Sequence, residues 1–281
     1  MTAVTTTPAG TAAEPRARFR DLLAAEWLKF WSLRSTPWSF VISALVILGL
    51  NAGAAYEHDH YWHMNHMSPA RFTAEGLPLL DAYTTNAGIA MIVMAGAIGR
   101  LAITGEYGTG LIRTTFTAVP ARRSVMAAKV SVIAGVTAVF GAVVAACSFG
   151  LTQAILSARH AGVSFGSPGA LRVMVASALL APVAALTGAA VGAIVRHSAA
   201  AVAGTIVIVQ VLPLFIHDDS HLPAVIAHAL PFQAWNRLVA IPFNPVASAY
   251  PWTTTGAWTV FAVWAFVAAI LAVTAVYRRD V

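Results

Sequence analysis

The densest group of side chains able to do chemistry is Y-E-H-D-H-Y-W-H-M-N-H-M, Tyr56 to Met67. It holds His58, His60, His63 and His66 together with Glu57, Asp59, Met64 and Met67. Imidazoles suit zinc or copper, and thioethers favour cuprous ion. Three or four of these histidines would coordinate the ion in a metal-sensing or metal-delivering membrane protein. On a helix His60, His63 and His66 recur every three residues but drift round the axis. A solvated histidine-rich loop without a tight site is the competing reading. The second group is R-L-A-I-T-G-E-Y-G-T-G-L-I-R-T-T-F-T-A-V-P-A-R-R, Arg100 to Arg123. A glycine-rich turn (Gly105, Gly108, Gly110) precedes a helix-capable stretch carrying Arg113, and Pro120 with two arginines closes it. Such a segment is either a rigid cytoplasmic protrusion that a motor domain grips or a plain polar loop.

Several chemistries have no residues to carry them. No G-x-x-x-x-G-K-[ST] occurs, so the chain cannot cradle a nucleotide by itself. The sole cysteine, Cys147, lies in an apolar run, which leaves neither a disulfide framework nor a thiolate metal site. All 11 acidic residues are expected outside the membrane spans; Glu57, Asp59, Glu75 and Asp81 fall in an external segment. An ion-coupled carrier usually keeps an ionisable group within the membrane, and intramembrane proteolysis needs paired Asp, H-E-x-x-H or Ser/His. The chain is therefore read as non-enzymatic. Intramembrane polarity is left to Asn51, Asn86, Gln153 and Gln210, which either line a substrate path or hydrogen-bond neighbouring helices.

The elements that must position these residues follow from composition. Of the 281 residues 58% are hydrophobic and only 10% charged, with a mean hydropathy of +0.73. Soluble domains carry roughly 25% charged residues, and a bilayer span needs about 20 apolar ones. The chain is read as an all-α polytopic membrane protein with six spans: about 38–56, 83–103, 125–156, 171–195, 199–216 and 254–277. Pro182 should kink the fourth. Residues 1–15 read as a disordered tail, and the first 20 residues contain no apolar run for a cleaved signal peptide. The segment 16–37, with Phe19, Leu22, Leu23, Trp27, Phe30 and Trp31 at three-to-four spacing, reads as an amphipathic interfacial helix ended by Pro37, or else as an extension of the first span. With both termini in the cytoplasm, 13 of the 17 basic residues lie inside, which fixes the orientation. The net charge of +6 is thereby explained without a nucleic-acid partner. External segments are 57–82 and 217–252; in the second, short helices such as Leu222 to Leu230 either dip toward the outer leaflet or form a surface loop. Gly49/Gly53 and Gly188/Gly192 permit close helix approach, within the chain or at a dimer seam.

Two stretches carry a resemblance. The segment EYGTGLIRTT, Glu106 to Thr115, followed by Val119, Pro120, Arg122 and Arg123, resembles the cytoplasmic connection of bacterial ABC-2 type transporter permeases. EWLKFWSLRSTPW, Glu26 to Trp38, is similar to their interfacial elbow helix, and the six-span layout with internal termini agrees. The resemblance implies the membrane subunit of an ABC exporter in the bacterial cell membrane. It would pair as a homodimer in the lipid bilayer and dock two copies of a separate ATP-binding subunit, where ATP and Mg would bind. It would move a hydrophobic or amphipathic substrate (drug, peptide or lipid-like). The coupling element 104–123 would then contact the ATPase through Glu106, Tyr107, Gly108, Thr109, Gly110, Arg113 and Thr114, with Glu106 and Arg113 making the polar contacts. Glu26, Trp27, Lys29, Trp31 and Arg34 would belong to the elbow helix. The histidine cluster is outside that family's pattern, and zinc or copper there would be an addition to it.

Overall fold

A computed structural model describes residues 18–62, 68–109, 115, 117, 121–195, 221–241, 250 and 252–275 of the chain. Among the described residues all regular secondary structure is helical. The helices are α1 (Phe19–Ser32), α2 (Ser35–His60), α3 (Pro69–Ala74), α4 (Leu77–Ala82), α5 (Thr85–Thr109), α6 (Arg122–Ser157), α7 (Ala170–Val195), α8 (His221–His228), α9 (Pro231–Val239) and α10 (Thr254–Ala275). Five stretches are long and apolar enough to cross a bilayer: α2, Leu77–Glu106 (α4 with α5), α6, α7 and α10. They match five of the six expected spans. The other, 199–216, lies outside the described residues, as do the tail 1–15 and most of 217–252 before α8 and after α9. At 36 residues α6 is about 54 Å long, so it overshoots a hydrocarbon core of roughly 30 Å.

Helix α7 is the hub, packing on α5, α6 and α10. Its buried side is mostly alanine and glycine, and that smallness brings backbones into contact. A Cβ added at Gly188 would lie 2.0 Å from the Gly96 carbonyl oxygen, and one at Gly99 1.9 Å from that of Ala185. Gly188/Gly192 thus serves packing within the chain, while Gly49 and Gly53 on α2 face open space. Pro182 sits inside α7 without ending it. Lacking an N–H, it leaves the carbonyl of Ala178, four residues back, without its helical donor. Gly141 of α6 packs against that carbonyl so closely that a Cβ there would come within 2.1 Å of it.

Two boundaries differ from the sequence reading. Pro37 does not end the interfacial stretch; α1 stops at Ser32, and Pro37 lies in the first turn of α2. In that turn a helix N–H has no intrahelical acceptor, so proline is tolerated there. The described residues of 57–82 are largely helical: α2 runs on to His60, and α3 and α4 follow. Ala55, Phe72, Leu77, Leu156 and Ala161 form a small core there. Within that segment Asp81 is only 2% exposed. The segment 217–252 contributes α8 and α9. Helix α9 packs on α7 and α10 and buries Trp235 against Gly88 of α5.

Candidate functional site

The principal charged site lies at the end of the bundle where α1, the C-terminal part of α5 and the N-terminal part of α6 meet. Helix α1 presents Leu22, Glu26 and Phe30, four residues apart, to the interior. Glu26 therefore occupies a buried position on an otherwise apolar stripe, and its side chain is 3% exposed. A carboxylate there requires a cation, and two supply it. Lys29, one turn along α1, donates from Nζ to Glu26 Oε1 at 2.8 Å. Lys129 of α6 lies 2.5 Å from Glu26 Oε2 and 2.7 Å from Glu106 Oε1 at the end of α5. Lys29 also approaches Glu106 at 3.8 Å and donates to the Thr115 hydroxyl at 3.2 Å.

Two carboxylates and two ammonium groups alternate, so every neighbour in the ring attracts. The charges cancel, and each buried ion has counter-charges on two sides. Three elements far apart in sequence are joined through it, with Thr115, between α5 and α6, as a fourth participant. Glu106 therefore points inward, 12% exposed, with Lys129 2.7 Å from its carboxylate. Around this ring Trp27, Trp31 and Arg34 are exposed, as befits the outer face of α1 and the α1–α2 turn. Tyr107, Gly108 and Thr109 continue α5 as its last turn. Gly110, Arg113 and Thr114 lie outside the described residues.

Sequence reasoning marked Glu26, Lys29 and Glu106 separately and missed Lys129 as their partner. Its signal was a lysine two turns into the apolar run that follows Arg122 and Arg123. Only the fold brings it to Glu26, some hundred positions earlier.

The amides marked for a substrate path divide. Asn51 is buried at 2% exposure; its Nδ2 donates to Ser148 Oγ at 2.6 Å, and its Oδ1 accepts from the Thr84 N–H and hydroxyl. Gln153 donates to the Pro78 carbonyl at 3.1 Å and accepts from the Val163 N–H at 2.8 Å. Both spend their polar atoms joining neighbouring elements, the packing alternative of the sequence reading. Asn86 is exposed near the start of α5, and Gln210 lies outside the described residues. Beside Asn51, a chamber of about 20 Å3 is lined by Tyr83, Ser148, Ser177 and Trp235. That is room for about one water molecule.

At the opposite end, His58 Nδ1 lies 2.9 Å from both oxygens of Asp81. The His60 ring stacks on Tyr56, with centroids 5.9 Å apart. Arg159, after α6, bonds Asp59 at 2.6 Å and ties α2 to that turn. His63 and His66 lie outside the described residues, and among the described residues no three His, Cys, Asp or Glu side chains gather as a metal site.

No protein-family model matches the sequence, and no curated protein matches it.

Proposed function

We propose that the chain is the membrane-spanning permease subunit of an ATP-driven ABC exporter in a bacterial cell membrane, with the ATPase on a separate chain. The observation that carries this reading is the four-residue charge ring. A permease without catalytic groups must convert movement of an attached motor into rearrangement of its spans, which requires differential contacts in two states. The ring supplies a mechanical link of that kind. It fastens the helix leading into the cytoplasmic connection (α5), the helix leaving it (α6) and the amphipathic helix α1 to one another.

In this reading Arg113 and its neighbours make the external contacts with the ATP-binding subunit. Glu106 transmits: displacement of the connection pulls on Lys129 and, through Glu26, on α1. The elbow role of α1, the second permease copy and the internal termini belong to the same proposal. They are supported by the concentration of basic residues at the α1 end and by the exposed Trp27 and Trp31. The substrate would be hydrophobic or amphipathic.

The test is purification of the tagged chain from its native cells in mild detergent, with identification of co-purifying proteins and assay of vanadate-sensitive ATP turnover. Arg113→Ala should reduce the amount of ATP-binding subunit retained. Glu106→Gln should retain that subunit but alter turnover, because it leaves the docking face in place and weakens the link behind it. Equal loss of the subunit in both variants would return Glu106 to the docking surface.

A further inference from the structure

One ion pair among the described residues differs in kind from the rest. Asp81 of α4 has its side chain 2% exposed, and both its oxygens lie 2.9 Å from Nδ1 of His58, in the last turn of α2. A carboxylate buried to that degree requires a cation beside it. In the other described pairs the cation is a lysine or arginine, charged throughout the physiological range. Here it is an imidazole, whose charge changes between about pH 5 and 8. The His58 side chain is 33% exposed, so protons reach it from solvent. Helix α2, with 26 residues, is about 39 Å long. That exceeds a hydrocarbon core of roughly 30 Å and leaves its last turn outside the core.

The charged groups around the imidazole offer no substitute for its proton. Glu57, next to it on α2, adds negative charge. Asp59 is taken by Arg159 after α6, and Arg71 and Glu75 of α3 pair with each other at 2.7 Å. From α3 the ring itself meets only the edge of Phe72. Tyr83, after α4, donates to the Ala145 carbonyl, and His60 stacks on Tyr56. The hydrogen bond to Asp81, opposed by partial burial and helped by the charges of Asp81 and Glu57, raises the His58 pKa above its ordinary value of 6.5.

We propose that His58 and Asp81 form a proton-binding latch that fastens α3 and α4 to the end of α2. With a proton on His58 the pair is neutral overall, and α4 is held to α2. Without it Asp81 keeps a buried negative charge beside a neutral ring, and the fastening weakens. The remaining attachment is the small core of Ala55, Phe72, Leu77, Leu156 and Ala161. Since the folded pair holds the proton more tightly than a free imidazole, its contribution is complete below about pH 6.5 and is lost as the pH rises through the higher folded value. The inference is independent of the transporter reading: the latch stands if no ATPase binds, and an ATPase complex stands without the latch.

Two substitutions separate charge from shape. Asp81→Asn keeps the size of the side chain and removes its charge, while His58→Lys supplies a cation that stays charged to about pH 10. The experiment is hydrogen exchange of the full chain in detergent, read by mass spectrometry from pH 6 to pH 9. EDTA keeps metal off the histidines, rates are corrected for the intrinsic pH dependence of exchange, and melting curves are taken for each variant. In the parent, protection of the α3 and α4 amides should fall roughly threefold or more across that range, while protection of α7 stays level. In both variants the α3 and α4 protection should be flat, with His58→Lys near the parent's pH 6 level. If either variant melts early, the other decides. Protection in the parent that does not change with pH, or that changes as much in the variants, would overturn the proposal. An equal fall in α7 would also overturn it, by showing a general loosening of the bundle.

Discussion

The two ends of the bundle solve the burial of charge differently. At the α1 end, four ions from three elements share one ring, and none of the pairs can be broken without disturbing another. At the opposite end, charges pair singly: His58 with Asp81, and Arg159 with Asp59. The rest of that end is held by apolar and aromatic packing around Phe72, Leu77 and Trp235. Pairs fasten two elements and leave the others alone, whereas a ring makes several elements respond together. That contrast is why the α1 end is the better candidate for receiving a mechanical input, and the opposite end for a fixed cap.

The contrast sets an order of mutational effects. Lys129→Ala should be the most damaging, because it removes the cation closest to both Glu26 and Glu106, which are 3% and 12% exposed. A loss of about 3–5 kcal/mol is expected for breaking a buried pair, measured as unfolding of the purified chain in detergent. Replacing Glu26 and Lys129 together by Met keeps the ring neutral, with Lys29 and Glu106 remaining, and should recover much of that loss. Additive damage in the double variant would mean that the four residues do not act as a unit.

His58→Ala should cost less, about 1.5–3 kcal/mol, chiefly for one hydrogen bond to a charged group, since it affects Asp81 and an edge contact with Phe72 but no other ion. Zinc titration of that variant and the parent would sharpen the comparison: if His58 serves only Asp81, the parent binds no more metal than the variant. Trp235→Phe should cost about 2 kcal/mol, from the Nε1 bond to Ser177 Oγ at 3.2 Å and from the space left where the outer indole ring packs on Gly88. Arg159→Gln should be smallest, within about 1 kcal/mol, because Arg159 and Asp59 are 31% and 25% exposed. A larger effect for Arg159→Gln than for Lys129→Ala would reverse the assignment of the two ends.

Much of this architecture is legible in the sequence because hydropathy acts locally. Five expected spans coincide with helices, and of the residues at three-to-four spacing in α1 Leu22 and Phe30 turn inward, while Phe19, Trp27 and Trp31 are exposed. What hydropathy cannot read is a charge whose burial is made tolerable by a distant partner. Glu26 reads as one polar residue of an interfacial helix, and Lys129 as one more cytoplasmic cation near Arg122 and Arg123. The burial of Asp81 is hidden likewise, because His58, which pairs with it, sits on another helix. Glu106 reads as a residue of the connection after the second span, and only the fold brings Lys129 to within 2.7 Å of it. Backbone contacts are similarly hidden: Gly49/Gly53 and Gly188/Gly192 have the same spacing, but only the second pair meets a neighbouring helix closely. The general signal is a charged residue at an apolar-stripe position, which asks for an opposite charge elsewhere in an apolar run.

The central claim, that the α1 end links a cytoplasmic docking element to the spans, is tested most directly by what the tagged chain retains when purified from its native cells. The account predicts that the parent retains an ATP-binding subunit with vanadate-sensitive turnover, that Arg113→Ala loses it, and that Glu106→Gln keeps it with altered turnover. A parent chain that melts cooperatively yet recruits no ATPase under mild conditions would contradict the account.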